Sequence, residues 1–249
     1  RHLESSNVRV PGGFATTTYA FDKFISSNGL DEKIKSRLSS LDVSNVAELS
    51  KAGAEIRQWI SDGKFSAELE KSISDSYSKL QENGPVSVAV RSSATAEDLP
   101  NASFAGQQET FLNVSGESQV KKRIKEVFAS LFNDRAISYR CHQGFDNQKI
   151  SISAGIQKMV RSDLASSGVM FTLDTESGYR DVVFLTSSYG LGELVVQGAV
   201  NPDEFYICKK IMKKGGDPIL KRELGSKNLK MIFSDLSAAN SDEVATVSV

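Results

Sequence analysis

The hydrophobic period of this chain changes at Gly84-Pro85, and that switch constrains the fold more than any other feature. Before it, apolar residues recur every three or four positions. Val46, Leu49, Ala52, Ile56, Trp59 and Ile60 share one helical face within 45–62, and Leu69, Ile73, Tyr77 and Leu80 repeat the pattern within 66–82. After it, 86–91 (VSVAVR) alternates and is rich in valine, the signature of a half-buried strand. A segment cannot serve both periods, because one places side chains every 100° and the other every 180°. The chain therefore reads as α+β (mixed α/β), a helical N-terminal layer followed by mixed sheets.

The punctuation refines this reading. Residues 5–13 form an extended lead-in that turns at Pro11-Gly12-Gly13. The threonines at 16–18 cap a helix over 18–27, which stops at Asn28-Gly29, and a short helix follows over 31–39. Gly63 and Gly84-Pro85 end the two longer helices. Beyond the switch, 92–109 reads as a long polar loop, 111–114 as a strand, and 117–140 as one helix with Val120, Ile124, Val127, Phe128, Leu131 and Phe132 inward. Strands are expected at 151–160, 168–173, 182–187 and 204–207, with a short helix opened by Gly190-Leu191-Gly192-Glu193. Residues 234–249 carry few large apolar side chains and read as a loop or frayed end.

Composition excludes several classes. A net charge of −1 supplies no basic field for nucleic acid. The apolar stretches fall short of a membrane span. The chain begins at Arg1, and no charged and apolar run opens it, so no signal peptide is expected. Cys141 and Cys208 match no metal-clip spacing, and so low a cysteine count suits a reducing cytoplasm.

The chemistry concentrates in 89–109. A strand leads to Arg91, followed by Ser92, Ser93 and Thr95, and then by Ser103, Gly106, Gln107, Gln108 and Thr110. Small hydroxyl, amide and glycine residues let backbone N–H groups approach a polyphosphate. An arginine anchored on a strand can fork onto two phosphate oxygens. A solvated loop with Arg91 paired to Glu97 or Asp98 fits the composition equally well. No Gly-Lys-Ser/Thr follows, so this is not a Walker A loop, and Gly225-Ser226-Lys227 has the wrong order.

The run VAVRSSATAEDLPNASFAGQQETFLNV (88–114) resembles the signature of phosphoenolpyruvate synthases, with related runs in pyruvate phosphate dikinases and rifampin phosphotransferases. The runs EVFASLFNDRAISYR (126–140), DLASSGVMFTLDTESG (163–178) and YGLGELVVQGAVNPDEFY (189–206) favour the synthases. The similarity extends from about residue 10 to about residue 233. It implies the two-lobed ATP-grasp fold, with ATP held between a lobe over 1–114 and a second lobe over 115–249. The family reaction converts pyruvate, ATP and water to phosphoenolpyruvate, AMP and phosphate. The β-phosphoryl group passes to a histidine on a swivelling domain and then to pyruvate in a C-terminal barrel.

On this resemblance Arg91 is the catalytic, phosphate-binding arginine, with Ser92 and Ser93 as phosphate donors or loop caps. Gly106, Gln107 and Thr110 belong to a phosphate-covering loop. Phe104 is either its anchor or plain core. Gln157, Met159 and Val160 stand at the adenine hinge, and Glu193 at a ribose or hinge contact. Gln197, Asp203 and Glu204 are weaker candidates. His142 lies outside any threonine-cysteine-histidine-alanine run and reads as structural. No metal ligand is assigned within the chain. The family's phosphate-binding lysine, the acidic strand that holds Mg²⁺, the phosphoacceptor domain and the barrel would all lie outside it. The isolated chain is therefore expected to lack full synthase activity. The family is commonly cytoplasmic, with homodimers. The alternatives are a related phosphotransferase with the same front end, a binding module without catalysis, and a structural α+β domain.

Overall fold

The computed structural model describes residues 8–82, 84–94, 98, 99, 102, 103, 109–142, 150–234 and 244–249. The chain separates into two compact units, Arg1–Met159 and Val160–Val249.

The first unit runs β1 (Gly13–Ala15), α1 (Thr18–Ser27), α2 (Leu30–Ser39), α3 (Val46–Asp62), α4 (Ala67–Leu80), β2 (Ser87–Ala94), the short strands β3 (Asp98–Leu99) and β4 (Ala102–Ser103), β5 (Thr110–Ser115), α5 (Glu117–Ser130), α6 (Asp134–His142) and β6 (Ile152–Lys158). Polar caps set the helix starts. Side-chain oxygens of Thr17, Asn45 and Ser66 accept from the N–H groups of Ala20, Glu48 and Leu69 at 3.2, 3.2 and 3.3 Å. Each such cap contributes about 1 kcal/mol. The predicted apolar faces of α3 and α5 are buried at Leu49, Ala52, Ile56 and Ile60, and at Val120, Ile124, Val127 and Phe128. Val46 is exposed instead, because it opens α3 directly after its cap.

One long helix over 117–140 does not form; α5 ends and α6 begins anew at Asp134. Asn133 restarts the chain by accepting the Ala136 N–H through its side chain at 2.8 Å. The fully buried Arg140 donates back to the Leu131 carbonyl at the break. Burial lowers its pKa to about 10, so it stays charged at neutral pH.

The sheet order is β1-β6-β2-β5, with antiparallel neighbours throughout. β2 is longer than its sequence suggests. Ser92, Ser93 and Ala94 are strand residues, paired with Ala154, Ser153 and Ile152 of β6. One face of the sheet is apolar, with Val88, Val90, Val114, Ile152, Ala154 and Ile156 buried against the helices and the cluster of Phe21, Phe24 and Phe128. β6 is the last element of this unit and yet sits centrally in its sheet. The first compact unit accordingly runs on through β6 to Met159.

The second unit contains β7 (Ser166–Ser167), β8 (Met170–Phe171), β9 (Val182–Tyr189), α7 (Glu193–Val196), β10 (Asp203–Cys208), α8 (Lys209–Lys213), β11 (Ile219–Glu223), β12 (Leu229–Phe233) and β13 (Val244–Ser248). β11, β10, β9 and β7 are neighbours in that order, and β8 also pairs with β9. Of the segment expected as one strand at 168–173, only Met170–Phe171 is strand, and β7 pairs with β9 just before it at Ser166–Ser167. Residues 244–248, expected as loop or frayed end, form β13 against β12 with Val244 opposite Phe233. Backbone pairing supplies there what large apolar side chains do not.

A buried ion pair locks this unit. Lys227, only 6% exposed, donates to the Asp203 carboxylate and, at 2.9 Å, to the Gly225 carbonyl. The Gly225 N–H also donates to Asp203 at 2.9 Å.

Two stability outcomes follow from this packing. Ile56→Ala should cost about 2–5 kcal/mol in denaturant unfolding, since the side chain is fully buried. Asp203→Asn should cost about 3–5 kcal/mol at neutral pH, because it strands a buried ammonium. The hydrogen bond from Lys227 holds the Asp203 carboxyl below its usual range. Such a group stabilises fully above its unfolded value of about 3.9, and the contribution is lost as pH falls through the folded value. Protection factors of amides in the second unit should fall below about pH 4 in the native sequence and fall less steeply in Asp203→Asn.

Candidate functional site

Strand alternation gives the sheet of the first unit two unlike faces. The face opposite the helices carries Gly13 and Ala15 of β1, Ser153, Gly155 and Gln157 of β6, Arg91 and Ser93 of β2, and Thr110 of β5. The register aligns Ala15, Gly155, Arg91 and Thr110 in one row across the four strands. Ser93 faces Ser153 in the next row. Gly13, Ala15, Arg91 and Ser93 are exposed, and Ser153, Gly155, Gln157 and Thr110 are half-buried.

These residues enclose an open groove of about 710 Å³ bordered by Pro11, Gly13, Phe14, Ala15, Arg91, Ser92, Ser93, Ser153, Gly155, Ile156 and Gln157. Its floor is low because its side chains are small. Gly13 is required by close approach, since a Cβ there would lie 2.3 Å from the Ile156 carbonyl oxygen. Ser153 is turned inward, its hydroxyl donating to the Thr16 carbonyl at 2.6 Å. Among the described residues, the Gln157 side chain makes one long contact, 3.5 Å to the Pro11 carbonyl.

Among the described residues Arg91 is the single guanidinium bordering the groove. It makes no ion pair with a described residue, and Gly155 and Thr110 flank it in the row. Glu97, proposed as its partner from sequence, lies outside the described residues, as does the side chain of Asp98.

The other predicted site residues distribute unevenly. Ser93 stands on the face of Arg91. Ser92 borders the groove, but its side chain alternates to the face of Val90 and Ala94. Thr110 joins the row of Arg91. Gly106, Gln107 and Phe104 lie outside the described residues. At the expected hinge, the N–H groups of Lys158 and Met159 are already donated to the Gly12 and Ser87 carbonyls, each at 2.9 Å. Of that segment, Gln157 borders the groove. Val160 and Glu193 belong to the second unit. Glu193 opens α7 and accepts from the Gln197 side chain at 2.9 Å. Asp203 is committed to Lys227.

Gly13, Ala15, Ser153 and Gly155 were not singled out from the sequence. The available signal was the alternation of 153, 155 and 157 in SISAGIQ, with a glycine inside a strand. His142 pairs its Nδ1 with the Ser138 carbonyl at 2.7 Å on its own helix. Among the described residues no group of three or more His, Cys, Asp and Glu side chains is placed to hold a metal ion. No helix among them is long and apolar enough to cross a membrane.

An open sheet face that carries, among the described residues, one guanidinium over small residues has the chemistry to hold an anionic chain. The chain is 59% identical over 240 residues to the phosphoenolpyruvate synthase of Neisseria meningitidis serogroup B, covering 95% of this chain and 30% of that protein. It is 56% identical to the phosphoenolpyruvate synthase of Escherichia coli K12, covering 94% of this chain and 30% of that protein. It is 50% identical to that of Aquifex aeolicus, covering 94% of this chain and 28% of that protein. The chain thus spans about 30% of the length of these curated relatives. Residues 1–248 match the family described as pyruvate phosphate dikinase, AMP/ATP-binding domain, and the chain belongs to that family.

Proposed function

We propose that this chain is the ATP-binding part of a phosphoenolpyruvate synthase, and that the sheet face around Arg91 receives the phosphates of ATP. The observation that carries this reading is the exposed Arg91 guanidinium, set between Gly155 and Thr110 and bordering the groove. Its fork can take two phosphate oxygens at once, and such charge-assisted bonds are about twice as strong as neutral ones. Ser93 adds a hydroxyl on the same face. Gly106 and Gln107 would cover the phosphates, while Gln157, Met159, Val160 and Glu193 would attend the nucleoside.

In the whole protein the β-phosphoryl group of ATP would pass to a histidine of another domain and from there to pyruvate. The balance is pyruvate, ATP and water on one side and phosphoenolpyruvate, AMP and phosphate on the other. Arg91 would hold the phosphates in line and offset negative charge as the phosphoryl group leaves. Mg²⁺, which bridges phosphate oxygens in such reactions, would be held by groups outside the described residues. The setting is a cytoplasmic enzyme, a homodimer by family habit, that makes phosphoenolpyruvate for gluconeogenesis. The names of the relatives favour a synthase over a rifampin-type phosphotransferase.

Titration calorimetry with ATP tests the reading. Arg91→Ala should weaken binding by about 10–100-fold, the worth of one charge-assisted hydrogen-bonding group, with the melting temperature unchanged. Equal affinities in the two proteins would remove Arg91 from the site. The 249-residue chain alone should release no AMP when given pyruvate and ATP. Pyruvate-dependent AMP release would contradict that.

A further inference from the structure

The open face contains one glycine that the fold itself does not require. Gly155 lies in the middle of β6, between β1 and β2, where a residue without a side chain costs conformational entropy and packs nothing. Its backbone is not in the left-handed region, so no turn geometry demands glycine. Among the described residues a Cβ at this position would meet a single atom within 4 Å, the Arg91 carbonyl oxygen at 3.8 Å, which is ordinary van der Waals contact. Gly13, one row along on the same face, is the contrast, because there the backbone of β6 leaves no room. Packing and backbone conformation both permit a side chain at 155. What a side chain would remove is the open space in the row of Arg91.

We propose that Gly155 is a positioning residue for the nucleotide, the point where its phosphate chain crosses the sheet against the backbone of β6 beside the Arg91 guanidinium. This inference rests on the proposed nucleotide reading and assigns to Gly155 the phosphates rather than the base. A side chain at 155 would then displace the phosphates and leave the fold intact. The base could lie over the glycine instead, and the two placements differ in outcome.

The test compares the chain with Gly155→Ala and Gly155→Val, measuring melting temperature and the Kd of both ATP and inorganic tripolyphosphate. Melting temperatures should be equal or higher in the variants. Affinity for both ligands should fall by the same factor, a few-fold for alanine and at least tenfold for valine. Tripolyphosphate binding within twofold of the native chain in Gly155→Ala and Gly155→Val would overturn the proposal, as would loss of ATP binding with tripolyphosphate spared. If Gly155→Val fails to fold, the alanine variant decides by the same criteria, since its single Cβ fits the space beside the Arg91 carbonyl. If the native chain binds neither ligand, the nucleotide reading falls and this inference falls with it. If the native chain binds both and the variants match it, only the role of Gly155 is lost.

Discussion

The ladder between β2 and β6 is the constraint on which the site depends. It runs from Val88 opposite Lys158 to Ala94 opposite Ile152, and it brings the end of the unit against a strand some sixty positions earlier. A slip of one residue would turn Arg91 into the core and Val90 into solvent, because side chains alternate with a period of two. The buried run of Val88, Val90, Ile152, Ala154 and Ile156 forbids that slip. The same apolar burial that holds the helices to the sheet therefore fixes which residues face the groove. Fold stability and site geometry share one cause here, with the helical layer on one face and the candidate site residues on the other.

How much of this was legible in the sequence follows from where the information resides. Helices α1, α3 and α4 could be read almost to the residue, because caps and apolar spacing are local signals. The end of β2 could not. Ser92, Ser93 and Ala94 have no strand-like composition and are extended only because β6 offers them partners. The break between α5 and α6 was hidden for a related reason: the apolar period runs through Leu131 and Phe132, and only Asn133 and the buried Arg140 mark the restart. β13 has modest apolar content and exists through its pairing with β12. The unit boundary depends on a long-range strand insertion that no local composition shift marks.

The site was partly legible. Arg91 stood out as a cation at a strand end among small residues, and Ser93 and Thr110 share its face. Ser92 was grouped with Ser93 by adjacency, although adjacent strand residues point apart. The expected hinge illustrates a different limit. Which backbone N–H groups remain free cannot be read from residue types, and those of Lys158 and Met159 are bound within the first unit. Asp203, a weaker candidate on the resemblance, is bound to Lys227. Glycines mislead in the opposite direction. Gly13 and Gly155 look alike in the sequence, and only the space around each separates a packing requirement from an opening kept free.

The central claim is that the open face of the β1-β6-β2-β5 sheet is where the nucleotide's phosphates lie. Backbone amide NMR of the chain, titrated with ATP, reads this face residue by residue. Concentrated shifts at Ser93, Gly155 and Thr110, with Val88, Ile152 and Ile156 little changed, are the predicted result. Saturable ATP binding that leaves Ser93, Gly155 and Thr110 unshifted would contradict it.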